Sequence, residues 1–176
     1  MSLIQNSKAE LRKKIRTIHP ENRIGKDQAI NQFVFGLEEF INAKVVFLFN
    51  SIKDEPDTSC IIAKALEDKL VGVPSTNYDK IEFVLLNPQY CDNAQSALLV
   101  PDLVFVPCMA FDNQFNRLGR GLGWYDRFLK NLNSLKVGIA YSDYETINVF
   151  ATDLDIPMDI IITDNGVLRP STRRRS

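Results

Sequence analysis

Short apolar runs that alternate with helical patterns constrain the fold of this chain more than any other feature. The run Lys44–Asn50 (KVVFLFN) is continuously apolar between its polar ends, which is typical of a strand buried on both faces of a sheet. Similar runs predict further strands at Leu70–Val73, Ile81–Leu86, Leu103–Val106, Val137–Ala140 and Ile160–Thr163. Because helical patterns lie between several of these runs, we expect an α/β fold with a mostly parallel central sheet and flanking helices.

The helical patterns are recognised by their spacing and by their caps. Ser7 followed by Glu10 resembles a capping box, and the apolar residues after it predict a short helix that ends near Pro20. A second helix is predicted by one apolar stripe formed by Ile30, Phe33, Val34, Leu37, Phe40 and Ile41. Further helices are predicted after the turn at 54–58 and from Tyr125 onwards.

The size and composition of the chain limit the classes of function. A length of 176 residues predicts one three-layer domain over residues 1–176, with residues 170–176 as a flexible tail. A net charge of -1 gives no reason to expect a nucleic-acid or membrane partner. No apolar run is long enough for a membrane span, and the charged N-terminus does not resemble a signal peptide, so we expect a cytoplasmic protein.

The metal-binding and thiol residue types exclude further classes. The chain has three cysteines, Cys60, Cys91 and Cys108, which lie far apart and form no CxxC pair. This pattern argues against a disulfide framework or a zinc site and fits a reducing compartment. The single histidine, His19, excludes a multi-histidine metal site. For Cys108 a buried apolar role is favoured over that of a nucleophile.

The strand ends indicate where a ligand would bind. Ligands in parallel α/β folds lie outside the carboxyl ends of the strands, which selects the loops after Phe49, Val106 and Ile162. The loop after Val106 contains the segment Asn116–Arg127, with three glycines and three arginines. A glycine-rich turn between strand and helix exposes backbone N–H groups to an anion, and arginines can bind its phosphate oxygens. Glycine spacing alone fits a solvated surface turn equally well.

Four stretches, in order, resemble the 5-formyltetrahydrofolate cyclo-ligase (5,10-methenyltetrahydrofolate synthetase) family. They are Lys8–Arg12 (KAELR), Glu55–Thr58 (EPDT), Val106–Asp112 (VPCMAFD) running into the glycine loop, and Asp155–Thr163 (DIPMDIIIT). The resemblance implies a ligase that uses ATP as co-substrate with Mg²⁺ and converts 5-formyltetrahydrofolate into 5,10-methenyltetrahydrofolate, ADP and phosphate. We expect such an enzyme to act as a monomer or a weakly associating homodimer.

The resemblance assigns ATP contacts to two regions. Lys8 and Arg12 lie one helical turn apart and can point at one phosphate chain, although they also fit a solvated helix face. The other implied ATP contacts lie in and after the glycine loop: Arg117, Gly119, Arg120, Gly121, Gly123, Trp124, Tyr125 and Asp126. Of these, Arg120 and Asp126 are implied to act in catalysis, since the guanidinium fork of Arg120 suits a phosphoryl group.

The resemblance also implies metal and folate contacts. Asp126 and Asp155 are implied to hold Mg²⁺, which takes carboxylate oxygens together with phosphates; a helix-start charge and an ordinary turn residue are the respective alternatives. Glu55 can accept paired hydrogen bonds from a pterin, or can be an exposed turn charge. Phe111 and Trp124 can stack on the pterin ring, while a core position suits Phe111 at least as well.

Two further classes of function stay open at this point. Leu122, Leu154 and the segment Ala97–Pro101, which lacks a Glu-Pro pair, depart from the family pattern. These departures favour, as an alternative, a folate- or nucleotide-binding relative without efficient turnover. A sugar-phosphate or acyl-transfer enzyme on a similar scaffold is the third class, because a fold alone does not determine a function.

Overall fold

A computed structural model describes residues 3–77, 80–87 and 99–171. The strands of its main sheet are β1 Val45–Phe47, β2 Leu70–Asn77, β3 Lys80–Leu85, β4 Leu103–Pro107, β7 Leu135–Ile139, β8 Ile160–Thr163 and β9 Gly166–Leu168. A separate two-stranded hairpin consists of β5 Ala110–Phe111 and β6 Arg117–Leu118. The helices are α1 Leu3–Ile15, α2 Arg23–Phe35, α3 Glu38–Asn42, α4 Ser59–Ala65 and α5 Trp124–Leu129, with a 3₁₀ turn at Ser142–Tyr144.

The main sheet is mostly parallel, as the sequence predicts. Its seven strands have the order β3-β2-β1-β4-β7-β8-β9. The inner strands β2, β1, β4, β7 and β8 pair in parallel, whereas the edge strands β3 and β9 are antiparallel to their neighbours. The chain leaves β1 towards β2 on one side and leaves β4 towards β7 on the other. The boundary between β1 and β4 is therefore the switch point, where α/β sheets open a crevice for ligands.

Helices cover both faces of this sheet, which confirms the predicted three-layer arrangement. Val46 and Leu48 belong to the core beneath α2, α3 and α4, while Phe47 between them belongs to the opposite core, against α5. This alternation follows from the strand repeat, since successive side chains point to opposite faces. On the α5 face, the rings of Phe47 and Phe83 stack with centroids 4.4 Å apart, and Phe83 lies 4.7 Å from Phe128 of α5.

Three details of the predicted helices are wrong, the first being the end of α1, which comes at Ile15 rather than near Pro20. The capping box is absent, because α1 begins at Leu3 and Ser7 lies inside it, where its Oγ donates to the Leu3 carbonyl at 3.1 Å. The single second helix is instead two helices. The break comes at Gly36 and Leu37, where Leu37 adopts extended backbone (φ -74°, ψ 119°). The apolar stripe continues across the break because α2 and α3 cover the same core.

Some predictions fall outside the described residues, and some strands were not predicted. The described ranges leave out three predicted features: Cys91, residues 97–98 of the segment that lacks a Glu-Pro pair, and residues 172–176 of the predicted tail. The short strands β5, β6 and β9 have only two or three residues each, too few to show a periodic pattern. Within the described ranges, no helix has the length and apolar character needed to cross a bilayer.

The packing of Phe47 gives a test of the α5-side core. Gly72 is the register partner of Phe47, and a Cβ at Gly72 would lie 2.6 Å from the Phe47 ring. We expect Gly72→Ala to lower the free energy of unfolding by about 1–3 kcal/mol, as overpacked cores do. Chemical denaturation would measure this change. Gly36→Ala is the control: its Cβ would approach nothing closer than a backbone oxygen at 3.5 Å, so equal losses in both variants would contradict the account.

Candidate active site

Two predicted ligand-binding residues meet in an ion pair at the switch point. Arg120 Nε donates to Glu55 Oε1 at 3.0 Å, and the backbone N–H of Ile52 donates to Glu55 Oε2 at 3.1 Å. Glu55 follows β1 and Arg120 follows β4, so the two loops at the crevice supply one partner each. Glu55 is 7% exposed, while a third of the Arg120 side chain remains accessible. The structure therefore brings together a side chain assigned to ATP and one assigned to folate.

The glycine loop is held against α1. Arg12 Nε donates to the Gly119 carbonyl at 2.8 Å, and the Arg12 guanidinium lies 3.4 Å from the position of a Cβ on Gly121. Gly121 and Gly123 have φ values of 110° and 64°, which L side chains rarely adopt. Burial, followed by the nearby charge of Arg16, lowers the pKa of Arg12 despite the opposing carboxylate of Asp155. A partly desolvated cation thus lies against the backbone of the glycine loop at Gly119 and Gly121.

Lys8, one turn before Arg12, is committed to Asp155. Lys8 Nζ lies 2.8 and 2.6 Å from the two carboxylate oxygens of Asp155. The N–H and hydroxyl of Thr152 each donate to Asp155 Oδ2 at 2.7 Å. Burial raises the pKa of Asp155, but the hydrogen bonds from Lys8 and Thr152 outweigh burial and leave this pKa below its ordinary value. Asp155 is therefore a carboxylate stabilised in its charged form.

Arg117 is buried and links the glycine loop to the segment before β8. Its Nη1 donates to the Ile156 carbonyl at 2.6 Å, and its Nη2 donates to Asp126 Oδ1 at 2.9 Å. The backbone N–H of Ile156 donates to the same Asp126 oxygen at 3.0 Å. With 5% of its surface exposed, Arg117 has its guanidinium engaged by these protein partners, and its ATP contact stays a prediction. The link holds Asp126 against the backbone of Ile156, the residue that follows Asp155.

The aromatic residues of the predicted site differ in access. Phe111 is 1% exposed and packs in the α5-side core, which favours the core alternative over the predicted pterin contact. Trp124 begins α5 and is partly exposed. The Tyr125 hydroxyl is buried without a hydrogen-bond partner among the described residues, and burial and the nearby Glu55 raise the pKa of Tyr125. Tyr125 therefore reaches beneath the loop rather than into solvent.

Cys108 does not provide a nucleophile in this environment. It is 2% exposed and packs in the same core as Phe111. Burial raises the pKa of its thiol to about 12, which leaves almost no thiolate near neutral pH. The preference for a buried apolar role is confirmed.

Several residues that shape the site were not singled out in the sequence. Asp112 is buried, and its Oδ1 accepts the N–H groups of Gln114 and Asn116, which closes the turn between β5 and β6. Arg23, Asp27 and Tyr141 hold the loop that carries Glu55. Only Tyr141 had a usable signal, since it follows a predicted strand at its carboxyl end. The contacts of Arg23 and Asp27 depend on how α2 docks, which spacing does not reveal.

The loop after Ile162, which was expected near a ligand, contains none of the residues predicted to bind ATP. Its Asp164 accepts the N–H and hydroxyl of Ser142 at 2.7 and 2.9 Å, and Lys26 lies 3.3 Å away. Burial is the largest single influence on the pKa of Asp164 and raises it. The hydrogen bonds from Ser142 and Lys26 together outweigh burial, so this pKa lies below its ordinary value. This cluster fastens α2 to the ends of β7 and β8.

Asp126 and Asp155 are the two carboxylates that the sequence predicts to hold Mg²⁺. Both recorded hydrogen bonds of Asp126 go to Oδ1, which leaves Oδ2 without a donor among the described residues. Asp155 is held by Lys8 and Thr152. In residues 3–77, 80–87 and 99–171 no cluster of three or more histidine, cysteine or acidic side chains forms a ready metal site. Mg²⁺ needs only one or two protein oxygens beside phosphates, so the donor set fits that ion.

The fold and the site together define a class of protein. A glycine loop after β4 lies against cations of α1 in a mostly parallel α/β sheet, an arrangement that resembles the phosphate sites of nucleotide-dependent α/β enzymes. The family model for 5-formyltetrahydrofolate cyclo-ligases matches residues 4–164, and the chain belongs to this family.

Individual relatives agree with this assignment. The chain is 31% identical to a mouse 5-formyltetrahydrofolate cyclo-ligase over 70% of its own length and 71% of the relative's. It is 28% identical to the Haemophilus influenzae protein of that name, over 90% and 96% of the two chains. Among solved structures, the Aquifex aeolicus 5,10-methenyltetrahydrofolate synthetase superposes with a TM-score of 0.78 at 27% identity, covering 99% and 96% of the chains. The Mycoplasma pneumoniae synthetase gives 0.70 at 25% identity, covering 93% and 99%.

The lowered pKa of Asp155 predicts a pH-dependent contribution to stability. A depressed carboxyl pKa stabilises the fold above the pKa of the unfolded state, about 4, and this stabilisation is lost as pH falls through the folded pKa. We expect Asp155→Asn to be less stable than the parent at pH 6, with the difference shrinking towards pH 2. Urea unfolding at each pH would measure it, and a difference independent of pH would contradict the assignment. Lys13→Met, at an exposed lysine of α1, controls for lost surface charge.

Proposed function

We propose that this chain catalyses the ATP-dependent conversion of 5-formyltetrahydrofolate into 5,10-methenyltetrahydrofolate, with release of ADP and phosphate. The observation that carries the proposal is the 3.0 Å contact between Arg120 and Glu55, in a chain of the cyclo-ligase family. A phosphoryl group passes directly between two substrates only when the groups that bind them are adjacent. The contact supplies that adjacency for an arginine suited to phosphate and a carboxylate suited to a pterin.

The chemistry needs an activated formyl oxygen. A formamide is a poor electrophile, and its oxygen is a poor leaving group. Transfer of the γ-phosphoryl group breaks its bond to the bridging oxygen of ADP and forms a bond to the formyl oxygen, giving an iminium phosphate. N10 then attacks the formyl carbon and loses its proton, and phosphate leaves with the former formyl oxygen. The protein has to supply orientation and positive charge rather than a covalent nucleophile.

The ATP-binding groups follow from the geometry around the glycine loop. Arg12 and Lys8 on α1 and the exposed part of Arg120 supply the cations, and the amides of Gly119, Gly121 and Gly123 supply donors for phosphate oxygens. Trp124 and Tyr125 form the wall where α5 begins. Arg117 acts one step removed, by holding Asp126 in place.

Asp126 and Asp155 are the residues that would hold Mg²⁺. The ion, when bound, neutralises charge on the phosphate oxygens. Asp126 Oδ2 is available for it, whereas Asp155 becomes a ligand only when Lys8 exchanges its carboxylate for a phosphate oxygen. Since a lysine ammonium is a compact, mobile charge, this exchange costs Lys8 little.

The folate site centres on Glu55 and Trp124. Both Glu55 oxygens are already engaged, one by Arg120 and the other by the Ile52 amide. The N–H donors of a pterin would take the place of Arg120 on Oε1, and Arg120 would then be free to contact the phosphoryl group. Folate binding and arginine release are thereby coupled through one oxygen atom.

The direct test mixes purified protein with 5-formyltetrahydrofolate, Mg²⁺ and ATP, and follows the near-ultraviolet absorbance of the methenyl product. An increase that requires ATP is expected. Folate binding by calorimetry without product would instead favour a binding relative, for which the exposed Leu122 and Leu154 beside the site would be the responsible changes. If the protein forms no product and binds no folate, the proposal is overturned.

Arg120→Lys tests the phosphoryl role of the arginine. Lysine keeps the charge but loses the planar fork, so we expect kcat to fall about 10- to 100-fold, less than the 10²–10³-fold typical for complete loss of a preorganised donor. The folate dissociation constant should change about threefold or less. Steady-state kinetics and calorimetry would separate the two effects. Arg169→Lys is the matched control, because Arg169 forms an exposed pair with Glu39; unchanged kcat in Arg120→Lys would refute the role.

A further inference from the structure

We infer that Arg23 and Asp27 of α2, acting with the Tyr141 hydroxyl, are positioning residues that set the orientation of Glu55 and hence the affinity for the pterin part of the folate. The inference rests on the folate role proposed for Glu55. None of the three side chains touches the substrate in this account; they act through the backbone of the loop at residues 51–58, here called the Glu55 loop.

Arg23 directs each of its hydrogen bonds at this arrangement. Its Nη1 donates to the Lys53 carbonyl at 2.5 Å, its Nη2 to the Glu55 carbonyl at 2.9 Å, and its Nε to the Tyr141 hydroxyl at 3.1 Å. The guanidinium carbon also lies 5.4 Å from the centre of the Tyr141 ring. A planar guanidinium that contacts two carbonyls of one loop fixes the loop's orientation as well as its distance.

Asp27 and Tyr141 complete the support from the opposite direction. The Tyr141 hydroxyl donates to Asp27 Oδ1 at 2.7 Å, and the Asp57 backbone N–H donates to the same oxygen at 3.1 Å. The phenol accepts from Arg23 and donates to Asp27 at the shorter distance, while the Glu55 carbonyl oxygen lies 3.5 Å from the same hydroxyl. Tyr141 is fully buried, which holds its ring in place between α2 and the Glu55 loop.

The loop transmits this support to the carboxylate. Glu55 N–H donates to the Ile52 carbonyl at 2.9 Å, and Ile52 N–H donates to Glu55 Oε2 at 3.1 Å. A small tight turn thus connects the Glu55 backbone to its own carboxylate. Shifting the backbone at Glu55 shifts the carboxylate, and displacements of about 1 Å at a binding group can cost about 10²-fold in function.

The same helix provides a matched control. Lys26 lies between Arg23 and Asp27 in sequence, and its ion pairs in the described part of the chain go to Asp143 and Asp164 rather than to the Glu55 loop. Removing Lys26 breaks partly buried polar contacts of α2 without touching the loop. A general loosening of α2 would therefore affect both kinds of variant, whereas positioning of Glu55 affects only one.

The test compares Asp27→Asn and Tyr141→Phe with Lys26→Gln. Calorimetry would measure the dissociation constants for 5-formyltetrahydrofolate and for ATP separately, and thermal unfolding would confirm that each variant is folded. We expect Asp27→Asn and Tyr141→Phe to weaken folate binding about 5- to 50-fold with ATP binding changed less than about twofold, whereas Lys26→Gln changes neither. Amide exchange at Asp57 should accelerate in Asp27→Asn and not in Lys26→Gln.

The inference is overturned if folate affinity stays within about twofold of the parent, if folate and ATP affinities fall together, or if Lys26→Gln shows the same loss. Its failure is distinct from failure of the proposed function. A parent protein that binds folate but forms no methenyl product refutes the ligase, while the affinities still decide the inference. A parent that binds no folate refutes both, and amide exchange then reports only whether the loop is held.

Discussion

The buried guanidinium of Arg117 is the interaction on which the site depends. It joins the end of the β5–β6 hairpin to Asp126 at the start of α5 and to the Ile156 carbonyl before β8. The charge of Arg117 is paired and hydrogen-bonded, which is what allows it to be buried at all. Because the glycine loop lies between Arg117 and Asp126 in sequence, this link fixes both ends of the loop, and the Gly119 carbonyl accepts a hydrogen bond from Arg12 of α1.

The charges predicted to bind ligands are paired with one another. Lys8 pairs with Asp155, and Arg120 pairs with Glu55. Each pair contains one group suited to phosphate and one suited to the metal or to the pterin. This pairing lowers the desolvation cost of keeping such charges at a crevice. In the function proposed above, substrates would displace one partner of each pair.

Local patterns predicted the architecture well and the contacts poorly. The apolar runs at Lys44–Asn50 and Ile160–Thr163 predicted buried parallel strands, because a strand buried on both faces consists of consecutive apolar residues. The break at Gly36 left no trace in the apolar stripe, since both helices face one core. In the site, the family resemblance predicted roles for Glu55 and Arg120 but not their contact. The two residues are 65 positions apart in sequence, and only the fold brings them together. The burial of Arg117 and Phe111 could not be predicted either, because residue type alone does not show whether a side chain faces a ligand or the core.

Phosphorylation of the formyl oxygen is the central claim, and isotope transfer tests it most directly. The substrate would be 5-formyltetrahydrofolate carrying ¹⁸O in its formyl group, and the released phosphate would be examined by ³¹P nuclear magnetic resonance or mass spectrometry. The account predicts one ¹⁸O atom in each phosphate formed, because the formyl oxygen leaves bonded to phosphorus. Unlabelled phosphate formed together with 5,10-methenyltetrahydrofolate would contradict it, since ATP would then be cleaved without activating that oxygen.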